Sequence, residues 1–255
     1  MLVLYVLFSL SFLGGAIVFA TLEHLGPANL KIVVFVGDSF TPLLLNWLNH
    51  VRNVCIECES KINVVCLDSA VGTSLEKFAL ACSYTLLDEN LDHRQQRHPA
   101  YKFTTVWKRR IDFILGILNV RVSVILSDID AIWLQNPLPE VLQHAASSDI
   151  ISSKGWFPTD LGRKWGSTVC LGFIFFKATL FTRRLLSEMS TQMRKERFDP
   201  SRVNDQYALN QILNDWGVSW NMGILEYTIF ISRNFIFVHC LRKALDHVAQ
   251  RPWRT

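Results

Sequence analysis

Short runs of β-branched and aromatic residues recur along the chain. Most are followed by a stretch in which apolar positions return every three or four residues. Lys31 to Gly37 (Lys-Ile-Val-Val-Phe-Val-Gly) is apolar almost throughout, as a strand buried on both faces is. Asp38-Ser39 and Thr41-Pro42 supply helix-starting residues. Leu44, Leu45, Trp47, Leu48 and Val51 then keep helical spacing over Leu43 to Arg52. Ile62 to Leu67 predicts a second strand, ending in Asp68, and Thr73 to Cys82 a second helix. A third helix is predicted over Thr104 to Leu118, running into a buried strand that starts at Val122. Beyond it the same reading gives a helix over Leu138 to His144, a strand over Asp149 to Ser152 and a strand over Val169 to Phe176. Helices follow over Ala178 to Glu196 and Tyr207 to Leu213, strands over Val218 to Trp220 and Phe235 to Val238, and a closing helix over Leu241 to Val248. Alternating strands and helices predict an α/β architecture with a parallel sheet and crossover helices.

Two stretches break this rhythm. Asp88 to Pro99 is polar and charged, and reads as a surface loop; its His93 and His98 are assigned no role. Lys154 to Ser167 is rich in Gly, Pro and Trp and reads as an irregular loop carrying exposed aromatics. Aromatic faces beside a cleft suit stacking on sugar rings or bases; the plainer reading is a lid on the core.

Composition narrows the picture. With 255 residues, 50% of them hydrophobic and 12% aromatic, the chain can build a sizeable core, and disorder is not expected over most of it. The net charge of +4 is spread along the chain, which argues against nucleic acid and is compatible with an anionic small ligand. Met1 to Leu22 carries no charge, long enough to span a bilayer core. Residues 1–22 therefore read as a signal anchor or a signal peptide, with Val18-Phe19-Ala20 leaving cleavage open and a buried core helix as the third reading. Either of the first two sends the domain at 31–255 into the secretory pathway. Six cysteines are present; Cys55-x-x-Cys58 lacks a second ligand pair for zinc, so one or two disulfides are expected. Cys66 and Cys170 lie in apolar runs and read as buried thiols.

The candidate chemistry gathers at Ser127-Asp128-Ile129-Asp130-Ala131-Ile132-Trp133-Leu134-Gln135-Asn136-Pro137. On an extended backbone, residues i and i+2 point the same way, so Asp128 and Asp130 can face one site. Two close carboxylates repel unless a cation or a shared proton lies between them. In open α/β sheets, ligands bind beyond the carboxyl ends of the strands. Lys108-Arg109-Arg110 is either a solvated helix face or the source of a cation that reaches an anion near Asp128. Gly172, within its strand, allows close approach of backbone or ligand. Asp205 reads as a helix cap or dipole partner, and His239, at a strand end, as a metal or phosphate contact.

These blocks, in this order, resemble the nucleotide-diphospho-sugar transferases, a family that includes plant arabinosyltransferases and rhamnogalacturonan xylosyltransferases. Ser127 to Pro137 is similar to the family's Ser-Asp-x-Asp-x-x-Trp-Leu-x-x-Pro. Gly172-Phe173-Ile174-Phe175-Phe176, Asn204-Asp205-Gln206-Tyr207-Ala208-Leu209-Asn210 and Val238-His239 resemble its later blocks. The resemblance implies a GT-A type Rossmann-like α/β fold, with a mostly parallel central sheet and helices on both faces. It also implies a divalent cation (usually manganese), a nucleotide-sugar donor and a glycan or glycoprotein acceptor. Asp128, Asp130 and His239 would hold the metal. Lys108, Asp128, Gly172 and Lys243 would contact the donor, and Asp205 would be the acid beside the transferred sugar. A Golgi or endoplasmic reticulum membrane location, with a lumenal domain, goes with it. Cys170-Leu171 and Cys240-Leu241 depart from the family pattern and put contacts to the donor sugar and the diphosphate in question.

Two other functions stay open. A haloacid-dehalogenase-like phosphohydrolase also places an Asp-x-Asp after a strand, but there Thr or Val follows where this chain has Ala131-Ile132-Trp133. A catalytically degenerate transferase domain would bind nucleotide without turning it over.

Overall fold

The computed structural model describes residues 29–85, 99–195, 204–218, 229–232 and 237–238. Seven strands form one sheet: β1 (Leu30–Val36), β2 (Ile62–Cys66), β3 (Tyr84–Thr85), β4 (Ser123–Ser127), β6 (Ile150–Gly155), β7 (Thr168–Phe176) and β8 (Ile229–Ser232). Their order is β3-β2-β1-β4-β7-β6-β8. A short second ladder pairs β5 (Ile132–Trp133) with β9 (Phe237–Val238), antiparallel.

The first half of the sheet is parallel throughout, as the run of apolar strands and crossover helices predicts. The second half is not. β7 runs antiparallel to both β4 and β6, while β8 returns parallel to β6. A parallel return needs a crossover of a dozen or more residues carrying a helix across the sheet face. The link between β6 and β7 holds one helix of about two turns, α5 (Thr159–Trp165), which rises only about 10 Å against the roughly 30 Å length of β7, so the chain doubles back as a wide hairpin. The stretch read as one irregular loop is therefore the end of β6, α5 and the short links on either side of that helix.

Helices cover both faces. On one lie α1 (Thr41–Val54), α2 (Ser69–Glu76) and α4 (Leu138–Ala145); on the other lie α3 (Pro99–Asn119), α6 (Leu180–Arg194) and α7 (Asp205–Asp215). Strand alternation divides the core between them. Ile32, Val34 and Val36 face the α1 layer with Trp47 and Leu75, whereas Val33, Val124 and Leu126 face the α3 layer with Ile111, Ile114 and Met189. The α2 helix starts four residues before its predicted place, because the Asp68 carboxylate caps it by accepting from Val71 N at 3.0 Å. The predicted helix end at Cys82 instead forms a disulfide with Cys66, and Cys55 pairs with Cys58. Cys66 is thus not a free thiol; Cys170 is.

The α/β expectation holds, with a Rossmann-like first half and a mixed second half. The β8 strand went unread in the sequence. The predicted loop at Asp88 to Pro99 lies almost wholly outside the described residues, as do residues 1–22 and the closing helix. Among the described residues, no helix is long and apolar enough to cross a membrane.

Candidate active site

Asp128 and Asp130 come together, though not on extended backbone. β4 ends at Ser127, and the chain folds into a tight turn closed by Ala131 N donating to Asp128 O at 3.0 Å. Asp128 N donates to Gly172 O at 2.8 Å, which extends the β4–β7 ladder by one rung and lays the turn against β7.

Two indoles hold the turn from below. Trp47 Nε1 donates to Ala131 O at 3.2 Å, and Trp133 Nε1 donates to Ser127 Oγ at 3.2 Å. The two rings meet edge to face at 5.5 Å, and Trp133 meets Phe173 the same way at 5.8 Å. Both tryptophans are fully buried. Leu134, the residue after Trp133, is 47% exposed and takes no part in this anchoring.

The acids open onto a cavity of about 390 Å³. Its lining comes from the acid turn, from β6 and the segment after it (Lys154, Gly155, Trp156, Phe157), from Thr159, from β7 (Cys170, Gly172) and from Gln206 of α7. Asp130 lines the cleft and has no hydrogen bond or ion pair among the described residues.

Behind the turn lies a buried cation that the sequence offered without singling out. Arg110, of the basic triplet on α3, donates from Nη1 to Asp128 Oδ1 at 2.8 Å and from Nε to Asp205 Oδ2 at 2.9 Å, with Nη2 also paired to Asp205. Asp205 Oδ1 accepts from Gln206 N at 2.9 Å. Burial opposes charge on Arg110, but the two carboxylates hold it above its ordinary value, so it stays cationic. Burial pushes the Asp205 carboxyl up, and the guanidinium pulls it back.

The remaining predicted residues divide. Gly172 lines the cleft. Lys108 does not; its ammonium is pushed down by burial and by Arg194, with Asp112 opposing, which places it among the charges of α3 and α6. Arg110 is the member of the triplet that reaches Asp128. Asp205 is 3% exposed and stands behind Arg110, while its neighbour Gln206 faces the cleft. Helix capping falls to Asn204, whose Oδ1 accepts from Tyr207 N at 2.8 Å. His239 and Lys243 lie outside the described residues. Lys154, Trp156 and Phe157 border the cleft, as the aromatic-loop reading allowed.

The model of the nucleotide-diphospho-sugar transferases matches residues 59–252, most of the chain and every residue lining the cleft. The chain belongs to that family. Its α/β sheet, with the carboxylate pair at the end of β4, is the GT-A type fold expected of it. Among curated proteins it is similar to Arabinosyltransferase XEG113 of Arabidopsis thaliana, 21% identical over 243 residues that make up 85% of this chain and 36% of that one. It is also similar to the UDP-D-xylose:L-fucose alpha-1,3-D-xylosyltransferase MGP4 of the same plant, 25% identical over 81% of this chain and 59% of that one. The chain therefore spans between about a third and three fifths of the length of these relatives. Among solved structures it is similar to the galactosyltransferase LgtC in complex with donor and acceptor sugar analogues. The TM-score is 0.45, with 16% identity over 71% of this chain and 70% of that one.

Proposed function

We propose that this protein is a divalent-metal-dependent glycosyltransferase that moves a sugar from a nucleotide-diphosphate donor to a glycan or glycoprotein. The observation that carries the reading is the pair Asp128 and Asp130, both lining one cleft from a turn locked at the end of β4. Two carboxylates with oxygens toward a cavity suit a hard cation such as Mn²⁺ or Mg²⁺, which takes its other ligands from substrate phosphates and water. Among the described residues no third His, Cys, Asp or Glu joins them; His239 is the sequence candidate. Such a cation supplies positive charge against the diphosphate as it leaves.

The chain's own residues set the geometry of that event. Arg110 donates to Asp128 Oδ1 and so fixes the direction of that carboxylate at the cleft. Asp205 orients Arg110, and in this reading it is a positioning residue. Lys154 is exposed, borders the cleft and has no ion pair among the described residues, so it can meet phosphate oxygens. Cys170 lines the cleft where the family resemblance leads to expect a polar amide or hydroxyl, and a thiol there makes weaker hydrogen bonds to a donor sugar. The two disulfides support folding in an oxidising compartment, consistent with a lumenal domain held at a Golgi or endoplasmic reticulum membrane through residues 1–22. The named relatives are a xylosyltransferase and an arabinosyltransferase, which makes UDP-pentoses the first donors to try.

The test is nucleotide release from a panel of UDP-, GDP- and CMP-sugars with and without Mn²⁺. Metal-dependent release by the native chain, reduced about a hundredfold in Asp130→Asn, is the expected result. Donor affinity that is unchanged in the variant would sink the metal assignment. Nucleotide binding without release from any donor would favour a degenerate, binding-only domain.

A further inference from the structure

The β6 side of the cleft carries an aromatic pair. Trp156 is 55% exposed and Phe157 is 40% exposed, yet both line the cavity. Their backbone is fixed. Phe157 O accepts from Thr168 Oγ1 at 2.9 Å and from Gln206 Nε2 at 2.8 Å. A Cβ placed on Gly162 would stand 2.9 Å from Trp156 O and 3.5 Å from its Cδ2, so the indole is seated on bare helix backbone. Gln206 is itself tied down, accepting from Leu171 N at 3.3 Å. Two large apolar side chains thus stand on hydrogen-bonded backbone at a cavity edge, with much of their area toward solvent, and the Phe157 ring meets that of Tyr207 at 6.3 Å. Beside them stand the uncharged polar groups of Thr159 and Gln206.

We infer that Trp156 and Phe157 form a stacking platform for a sugar ring of the acceptor. The inference rests on the transferase reading and extends it to a second substrate site. A sugar ring presents one face of C–H groups and a perimeter of hydroxyls. An aromatic face covers the former, and amide or hydroxyl side chains satisfy the latter. The position separates this platform from the nucleotide. In a doubly wound sheet the nucleotide lies at the point where strand order reverses, here between β1 and β4. The platform stands two strands away, on the β6 and α5 side of the acid turn. A donor that bridges from the switch point to Asp128 and Asp130 presents its sugar toward this rim, so the surface beyond it falls to the acceptor.

The experiment compares the full chain with Trp156→Leu, which keeps apolar cover over Gly162 and removes the flat face, and with Trp156→Phe, which restores a face. Protein with UDP and Mn²⁺ present is titrated with methyl glycosides of common pentoses and hexoses, read by calorimetry in the native chain and both variants. UDP affinity is measured separately by calorimetry. The expected result is a glycoside-dependent signal in the native chain. Glycoside affinity should fall about tenfold more than UDP affinity in Trp156→Leu and recover in Trp156→Phe. A UDP affinity that falls as far as that for glycoside would assign the rim to the donor and overturn the inference. So would the absence of any glycoside signal in the native chain, or a glycoside affinity untouched by Trp156→Leu. Failure of the transferase reading is seen elsewhere, as the absence of metal-dependent nucleotide release, and does not alter the glycoside titration.

Discussion

At the rear of the cleft, Arg110 gives its guanidinium to Asp205 and Asp128, and the charges there close on one another. At the rim, Lys154 has no ion pair among the described residues, Asp130 has no hydrogen-bond partner among them, and Trp156 turns half its surface to solvent. The rear is complete without a ligand and can set directions; the rim is incomplete and has surface to offer. Groups that position belong to the first region, and groups that bind belong to the second. The division follows from dielectric: a charge removed from water must be paired by protein, whereas one at a cleft mouth can wait for substrate.

The largest way to break this comparison is Arg110→Ala. It strands the buried Asp205 beside Asp128, and stability measured by urea denaturation should drop by roughly 3–5 kcal/mol. Arg110→Lys should recover little of that, because a single ammonium cannot replace a fork that serves two carboxylates. A loss under about 1 kcal/mol in Arg110→Ala would show that the rear is not a closed ionic unit. Next in size is the contrast between the two acids of the turn. Asp128→Asn removes a partner of Arg110 at a half-exposed position and should cost about 1 kcal/mol after allowance for solvent screening. Asp130→Asn should stay within about 0.5 kcal/mol while losing metal-dependent donor binding. Equal stability costs for the two would erase the distinction. The smallest effect is chemical. Burial pushes the Cys170 thiol up, so at a given pH less of it is thiolate, the reactive form. Alkylation of Cys170, followed by peptide mass spectrometry, should be slow at neutral pH and should accelerate only above the usual thiol range. Donor with Mn²⁺ should protect it. Fast labelling at neutral pH would contradict the buried environment.

The strands and the acid pair were legible in the sequence because both signals are local. A β-branched run such as Ile32-Val33-Val34 states its own burial, and two acids at the end of such a run state their unusual setting. Arg110 was harder. Lys108, Arg109 and Arg110 are alike in composition and differ only in helix phase. Arg110 lies four residues before Ile114 and eight before Leu118, both fully buried, and that phase was the available signal. Asp205 and Gln206 posed the same difficulty at the start of α7, where one step of about 100° separates a buried carboxylate from a cleft-lining amide. The antiparallel β7 was hidden by the Gly, Pro and Trp content of the segment before it, which masked how short a helix that link holds. β8 offers only four residues, Ile229 to Ser232, and it becomes a strand by pairing with β6, 79 residues earlier in register.

The hydrogen bond from Trp47 to the carbonyl of Ala131 ties together residues 84 positions apart in the chain. Trp47 belongs to the first crossover helix, and Ala131 closes the acid turn. The acid turn therefore reaches its final form only when the first crossover helix is docked beneath it. A truncated product lacking residues 41–54 would retain every letter of the motif while losing the peg on which its turn is hung.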